Sequence, residues 1–261
     1  MRHSSFKIIL SGFLIVLSGV GVRSQDPIAP SHHETVPRDS SFNPSGGGDL
    51  SEAQEKALNA AIKEFENYAK THPDVAPELR AIQEVKDKER FKKGGAKLRR
   101  RMRTLPDRYK PCPTTPNPCW GYWEKKGGGD DDFPPRTILI GDQTIEGIDP
   151  RGTNRTCLRR ALAIITLFRE GGRCLQDGLI EHGSKDCTLL RSLNKQNDRT
   201  KDVIDDIKDN GLPASPHGPA CTLDAQEKAA LDSVKGDLDR QMKDNCKDAL
   251  SKNCDPMPVG C

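Results

Sequence analysis

The first 111 residues of this 261-residue chain contain no cysteine, and all nine cysteines lie between Cys112 and Cys261. A disulfide framework is therefore confined to the C-terminal 150 residues. Because the count is odd, eight of the nine can pair internally, which leaves one for an intermolecular bridge, an adduct or a free thiol. Aromatic residues are scarce at 5% and apolar residues reach only 34%, so part of the chain stays outside any core. The longest apolar run, Ile8 to Val22, covers 15 residues, short of the roughly 20 that span a bilayer.

An excess of one charge sign is also missing. Arg2, Lys7 and Arg23 account for the whole net charge of +3, and the chain beyond residue 24 carries 38 basic and 38 acidic side chains. That balance removes the main support for general nucleic-acid binding. No G-x-S-x-G, H-E-x-x-H, Walker, Rossmann or kinase motif occurs. There is no C-x2-C pair either, and an oxidising compartment favours bridges over thiolate ligands, so no metal and no cofactor are expected. Asp130, Asp131 and Asp132 are consecutive and lack the alternating ligand positions of a calcium loop, so they read as a flexible acidic linker.

What is present begins with a leader. Arg2 and Lys7 precede the apolar run and Ser24 offers a small residue for cleavage, the pattern of a secretory signal peptide over 1–24, with an uncleaved anchor as the rival. Residues 25–49 are rich in proline, serine and glycine and read as a disordered linker in which His32 and His33 have no third ligand. A charged helical pair follows over 50–105. Ser51 and Gln54 have capping-box spacing, and Leu58, Ala61, Ile62, Phe65 and Tyr68 form the stripe of a helix that Pro73 stops. A second helix from about Pro77 uses Leu79, Ile82 and Val85, then turns strongly basic, with Gly94 and Gly95 splitting or bending it.

Between Lys86 and Lys110 there are 12 basic and 3 acidic residues. Lys92, Lys93, Lys97, Arg99, Arg100, Arg101 and Arg103 are therefore candidates for binding an anionic surface, against a simple solvated helix or a processing site. Residues 106–136 form a cysteine loop and linker rich in proline and glycine. Cys112 and Cys119, if paired, close an eight-residue ring worth about 2.5 kcal/mol in chain entropy. Trp120, Tyr122 and Trp123 directly after it either anchor in the core or form a stacking platform for a sugar or peptide.

The remaining chain, 137–261, reads as a disulfide-linked helical domain. Ile138, Leu139, Ile140 and Ile145 around Gly141 and Asp142 suggest a small hairpin. Asn154 opens an N-R-T sequon, a glycosylation acceptor if the export route is eukaryotic, or else Asn154 or Thr156 caps the next helix. That helix, from Cys157 to Phe168, is nearly all apolar and should be central and buried, with Gly171 and Gly172 ending it and Cys174 beyond. Ser184 would cap a helix running through Cys187, Leu189, Leu190, Val203 and Ile207, ended by Gly211 and Pro213 before Cys221. The last helix starts near Thr222 and carries Leu231, Val234, Leu238, Met242 and Cys246 on one stripe, which points Cys246 toward Cys157 or Cys187. Cys254 and Cys261 would pin the C-terminus.

The fold class expected is mainly α, a disulfide-stabilised helical bundle with a small β-hairpin and a disordered N-terminal segment. The function favoured is a secreted or periplasmic, non-catalytic interaction module for an extracellular protein, a glycan or an anionic membrane surface, with a disulfide-linked dimer available through the odd cysteine. The second reading is a small secreted hydrolase centred on His182 with Glu181 and Asp186, and the third is a structural exported protein with no discrete ligand. His182 lies too near its acidic neighbours in sequence for their side chains to converge readily on one centre.

Overall fold

The computed structural model describes residues 48–93, 122–124, 137–140, 142–152, 155–176 and 187–261. The leader, residues 25–47 of the linker, Cys112, Cys119, the three aspartates, Asn154 and Ser184 lie outside them. In the described residues the protein is mainly helical, braced by disulfides, with a small three-stranded sheet.

Helix α1 (Glu52–Ala69) starts as the capping box requires. Ser51 Oγ accepts the Gln54 backbone N–H at 3.3 Å and Gln54 Oε1 accepts that of Ser51 at 3.0 Å. A cap of this kind is worth about 1 kcal/mol. A 3-10 turn at Pro73–Val75 leads into α2 (Ala76–Asp87). The basic segment does not continue α2. Glu89 takes a left-handed backbone (φ 53°) and turns the chain into strand β1 (Phe91–Lys93), a reversal that ends the helix within one residue.

Strand β2 (Tyr122–Glu124) pairs antiparallel, and β1 pairs parallel, with the central strand β3 (Thr137–Ile140). The hairpin expected across 138–145 is thereby corrected: β3 is followed by helix α3 (Asp142–Ile148). Spacing explains the change. Ile138 and Ile140, two apart, are buried from a strand, whereas Ile145 and Ile148, three apart, are buried from a helix.

Helix α4 (Thr156–Leu175) is the centre of the main core, packed by α1, α2, α3 and helix α5 (Cys187–Asn210). Its N-cap is Arg155, in a left-handed backbone without a side-chain cap, so Thr156 begins the helix rather than capping it. Gly171 and Gly172 do not end α4. They are buried contact points: a Cβ on Gly171 would lie 2.5 Å from the Glu78 carbonyl oxygen, and one on Gly172 would meet the Gln196 side chain. Only the missing side chains let α2 and α5 approach this closely. Phe65 and Phe168 meet edge to face at 6.4 Å across the α1–α4 contact.

Helix α5 ends at Gly211, whose φ of 73° and approach to the Cys221 carbonyl both require glycine. Helix α6 (Ala225–Ser251) starts on a second capping box, Asp224 with Glu227. Lys201–Asp239 (2.8 Å), Lys235–Asp205 (2.6 Å) and Lys208–Asp232 link α5 to α6 as an antiparallel pair. Such exposed pairs fix register more than they add stability. Three bridges close within the described residues: Cys157–Cys221, Cys187–Cys254 and Cys246–Cys261. Cys246 therefore bonds the chain's last residue and not another core helix, because Pro258 to Cys261 folds back beside α6. Among the described residues no helix is long and apolar enough to cross a membrane.

Candidate functional site

A concavity lies where the start of α1, the end of α2 and β1 meet. It has a volume of about 550 Å³. Three local features build it. The capping box fixes where α1 begins, which sets Asp49 and Leu50 on one wall and Glu55, Leu58 and Asn59 beyond them. The left-handed turn at Glu89 folds the strand back, so Lys86, Asp87, Phe91 and Lys92 form the facing wall. The Arg90 carbonyl accepts the Ile138 N–H at 2.8 Å and ties β1 to β3.

The chemistry of the cleft is mixed. Leu58 and Phe91 are buried in its floor. The carboxylates of Asp49, Glu55, Asp87 and Glu89 and the ammonium groups of Lys86 and Lys92 ring it, an excess of two negative charges. Lys92 Nζ lies 2.6 Å from Asp49 Oδ1 with only 21% of its side chain exposed. The one basic candidate whose side chain is described is thus held in a cleft wall by an acid, rather than standing on an open cationic face.

Of the other sequence candidates, Lys93 occupies the β1 position opposite Ile140, and Tyr122 and Trp123 occupy β2 positions opposite Leu139 and Ile138. Trp120, Lys97, Arg99, Arg100, Arg101, Arg103, Glu181, His182 and Asp186 lie outside the described residues.

Two polar clusters went unforeseen. In the first, Arg160 is 1% exposed; its Nε donates to Glu64 Oε2 at 3.0 Å, its Nη1 to the Pro219 carbonyl at 2.6 Å and its Nη2 to the Pro213 carbonyl. Glu64 is equally buried and also accepts the Ser215 hydroxyl. The signal was present, since Glu64 falls within the Ala60, Ala61, Phe65, Tyr68 stripe, where an acid needs a buried partner. In the second, Tyr68 donates its hydroxyl to Asp206 Oδ2 at 2.6 Å, and His72 stacks on Tyr68 with its Nε2 3.1 Å from the same oxygen. His72 Nδ1 lies 3.1 Å from the Tyr68 carbonyl, as a side chain closing the end of α1 should.

Comparison with family models, with curated proteins and with solved structures returned no match.

Proposed function

We propose that this chain is an exported interaction module whose cleft between α1, α2 and β1 takes a protein segment bearing both apolar and basic side chains. The single observation that carries this reading is the composition of the cleft. Leu58 and Phe91 give its floor a small apolar contact, and its rim, which makes up most of the lining, holds more carboxylates than ammonium groups. An apolar centre within a polar, charged rim is the arrangement that peptide and protein interfaces share. Export is supported by the sequence features of residues 1–24, and three disulfides suit a chain that works outside the reducing interior of a cell.

The test is fluorescence anisotropy on the full mature chain with a labelled peptide of alternating lysine and leucine. The reading expects saturable binding that weakens several-fold in Glu55→Lys and Asp87→Lys, both exposed positions, while the melting temperature is unchanged. Absent binding, or equal binding by the charge-reversed chains, overturns it.

A further inference from the structure

The three bridges differ in what surrounds their sulfurs, and the difference has chemical consequences. Cys221 Sγ lies 3.4 Å from Nη1 of Arg160, whose guanidinium is almost wholly buried. Its partner Cys157 is the second residue of α4, within the first turn, where backbone N–H groups point free of the helix and no acidic side chain is present. Both sulfurs therefore sit where a thiolate is stabilised, one by a cation and one by a helix N-terminus. Glu64, on the far side of Arg160, is the countercharge that moderates the first effect.

The other bridges have less of this. Cys187 also opens a helix, but its partner Cys254 is buried beside Leu190 and Ala249, a setting that disfavours a thiolate. Cys246 and Cys261 lie beside the neutral amide of Asn194, at 3.6 and 3.8 Å. Two stabilised sulfurs, then one, then none, give a ranking. A disulfide whose reduced form is stabilised is the more oxidising one.

We propose that Cys157–Cys221 is a thiol–disulfide exchange site that accepts electrons from a dithiol, whereas the two C-terminal bridges are structural. A thiolate of the dithiol attacks Cys157 Sγ. The S–S bond breaks and its electron pair passes to Cys221 Sγ, held as a thiolate by the Arg160 N–H. The second thiol of the dithiol, losing its proton to solvent, attacks its partner's sulfur in the mixed disulfide and releases Cys157 as a thiolate at the start of α4. Two electrons enter the protein pair and the dithiol leaves as a disulfide.

The surroundings keep the reduced pair together. Leu212 and Cys221 exchange backbone hydrogen bonds of 2.8 and 3.0 Å, and Arg160 holds the Pro213 and Pro219 carbonyls. Cys157 and Cys221 are half-buried residues at the margin of the main core, not sealed within it, which leaves an approach for a small dithiol.

The test is equilibration of the full oxidised chain in buffers of reduced and oxidised dithiothreitol, followed by alkylation and peptide mapping. Exposure alone would favour Cys246–Cys261, since Cys261 is exposed. The proposal expects Cys157 and Cys221 to be alkylated at the most oxidising ratio of the three pairs. It also expects Glu64→Gln to ease reduction of this pair and Arg160→Gln to make it about tenfold harder, the scale of one charge-assisted hydrogen bond. Should Arg160→Gln fail to fold, the ranking in the unaltered chain still decides. Reduction of Cys246–Cys261 first, or of all three together, overturns the proposal.

Discussion

The α4 core and the far end of the α5–α6 pair are both interior, yet they are held by different means. Around α4, residues from α1, α2, β1, β3, α3, α5 and α6 close one continuous apolar cluster that includes Phe65, Ile82, Ile138, Ile164 and Phe168. At the far end of α5–α6 the apolar cluster is Leu190, Ala249 and Cys254, with Cys187 against it. Buried Asn194 does much of the remaining work there, donating to the Val259 carbonyl at 2.9 Å and accepting from Asn245 at 2.8 Å. Two of the three bridges among the described residues, Cys187–Cys254 and Cys246–Cys261, close in the same place. Where apolar burial is ample, the chain can also bury the Glu64–Arg160 pair. Where it is thin, covalent bonds and amide hydrogen bonds take its place, as small or shallow cores generally require.

The comparison breaks most readily in the first region at its buried charge. Arg160→Leu leaves Glu64 as a lone interior carboxylate and frees two loop carbonyls, so a loss of about 3–5 kcal/mol is expected in thermal or denaturant unfolding. Adding Glu64→Leu should restore most of it; no recovery in the double variant would show that the two do not act as a unit.

In the second region the corresponding change is Cys187→Ala with Cys254→Ala. The bonded residues are 67 apart, for which chain entropy gives about 4 kcal/mol, and measured losses usually fall below such figures. An expected loss of about 2–4 kcal/mol should come with loosening confined to the α5–α6 end. Loosening of α1 and α4 as well would erase the distinction.

The smallest effect expected is at Tyr68, where α1 meets α5. Burial first, then the hydrogen bond to Asp206 and nearby carboxylate charge, hold its phenol protonated well above the ordinary range. The stability this adds is fully present below the ordinary tyrosine value of about 10. It is lost as pH rises beyond that value, because the unfolded chain releases its proton first. Tyr68→Phe should cost about 1 kcal/mol at neutral pH and flatten the fall in stability above pH 10; an unchanged alkaline slope would place the titrating group elsewhere.

Legibility in the sequence followed the same division. The Ser51–Gln54 capping box and the stripes of α1, α4 and α6 could be read because short-range spacing dictates them, whereas the Asp224–Glu227 box was missed and the last helix was placed near Thr222. Long-range pairing was not legible. Glu64 and Arg160 are 96 residues apart, and neither states its partner. Nor does the sequence show that Asn194, Gln196, Asn197 and Thr200, in the polar middle of α5, are buried against α4 and α6. Gly171 and Gly172 resembled a helix end because the same residue that frees a backbone also permits close packing. The cleft escaped notice because it depends on the turn at Glu89, a residue type that seldom takes that conformation.

The central claim is that burial holds α4 while disulfides hold the far end of α5–α6. Native-state hydrogen exchange on the intact chain, before and after complete reduction, tests it most directly. The account predicts that amides of residues 187–197 and 242–254 lose protection on reduction while those of 158–170 in α4 largely retain theirs. Equal loss in both regions, or loss in α4 alone, would contradict it.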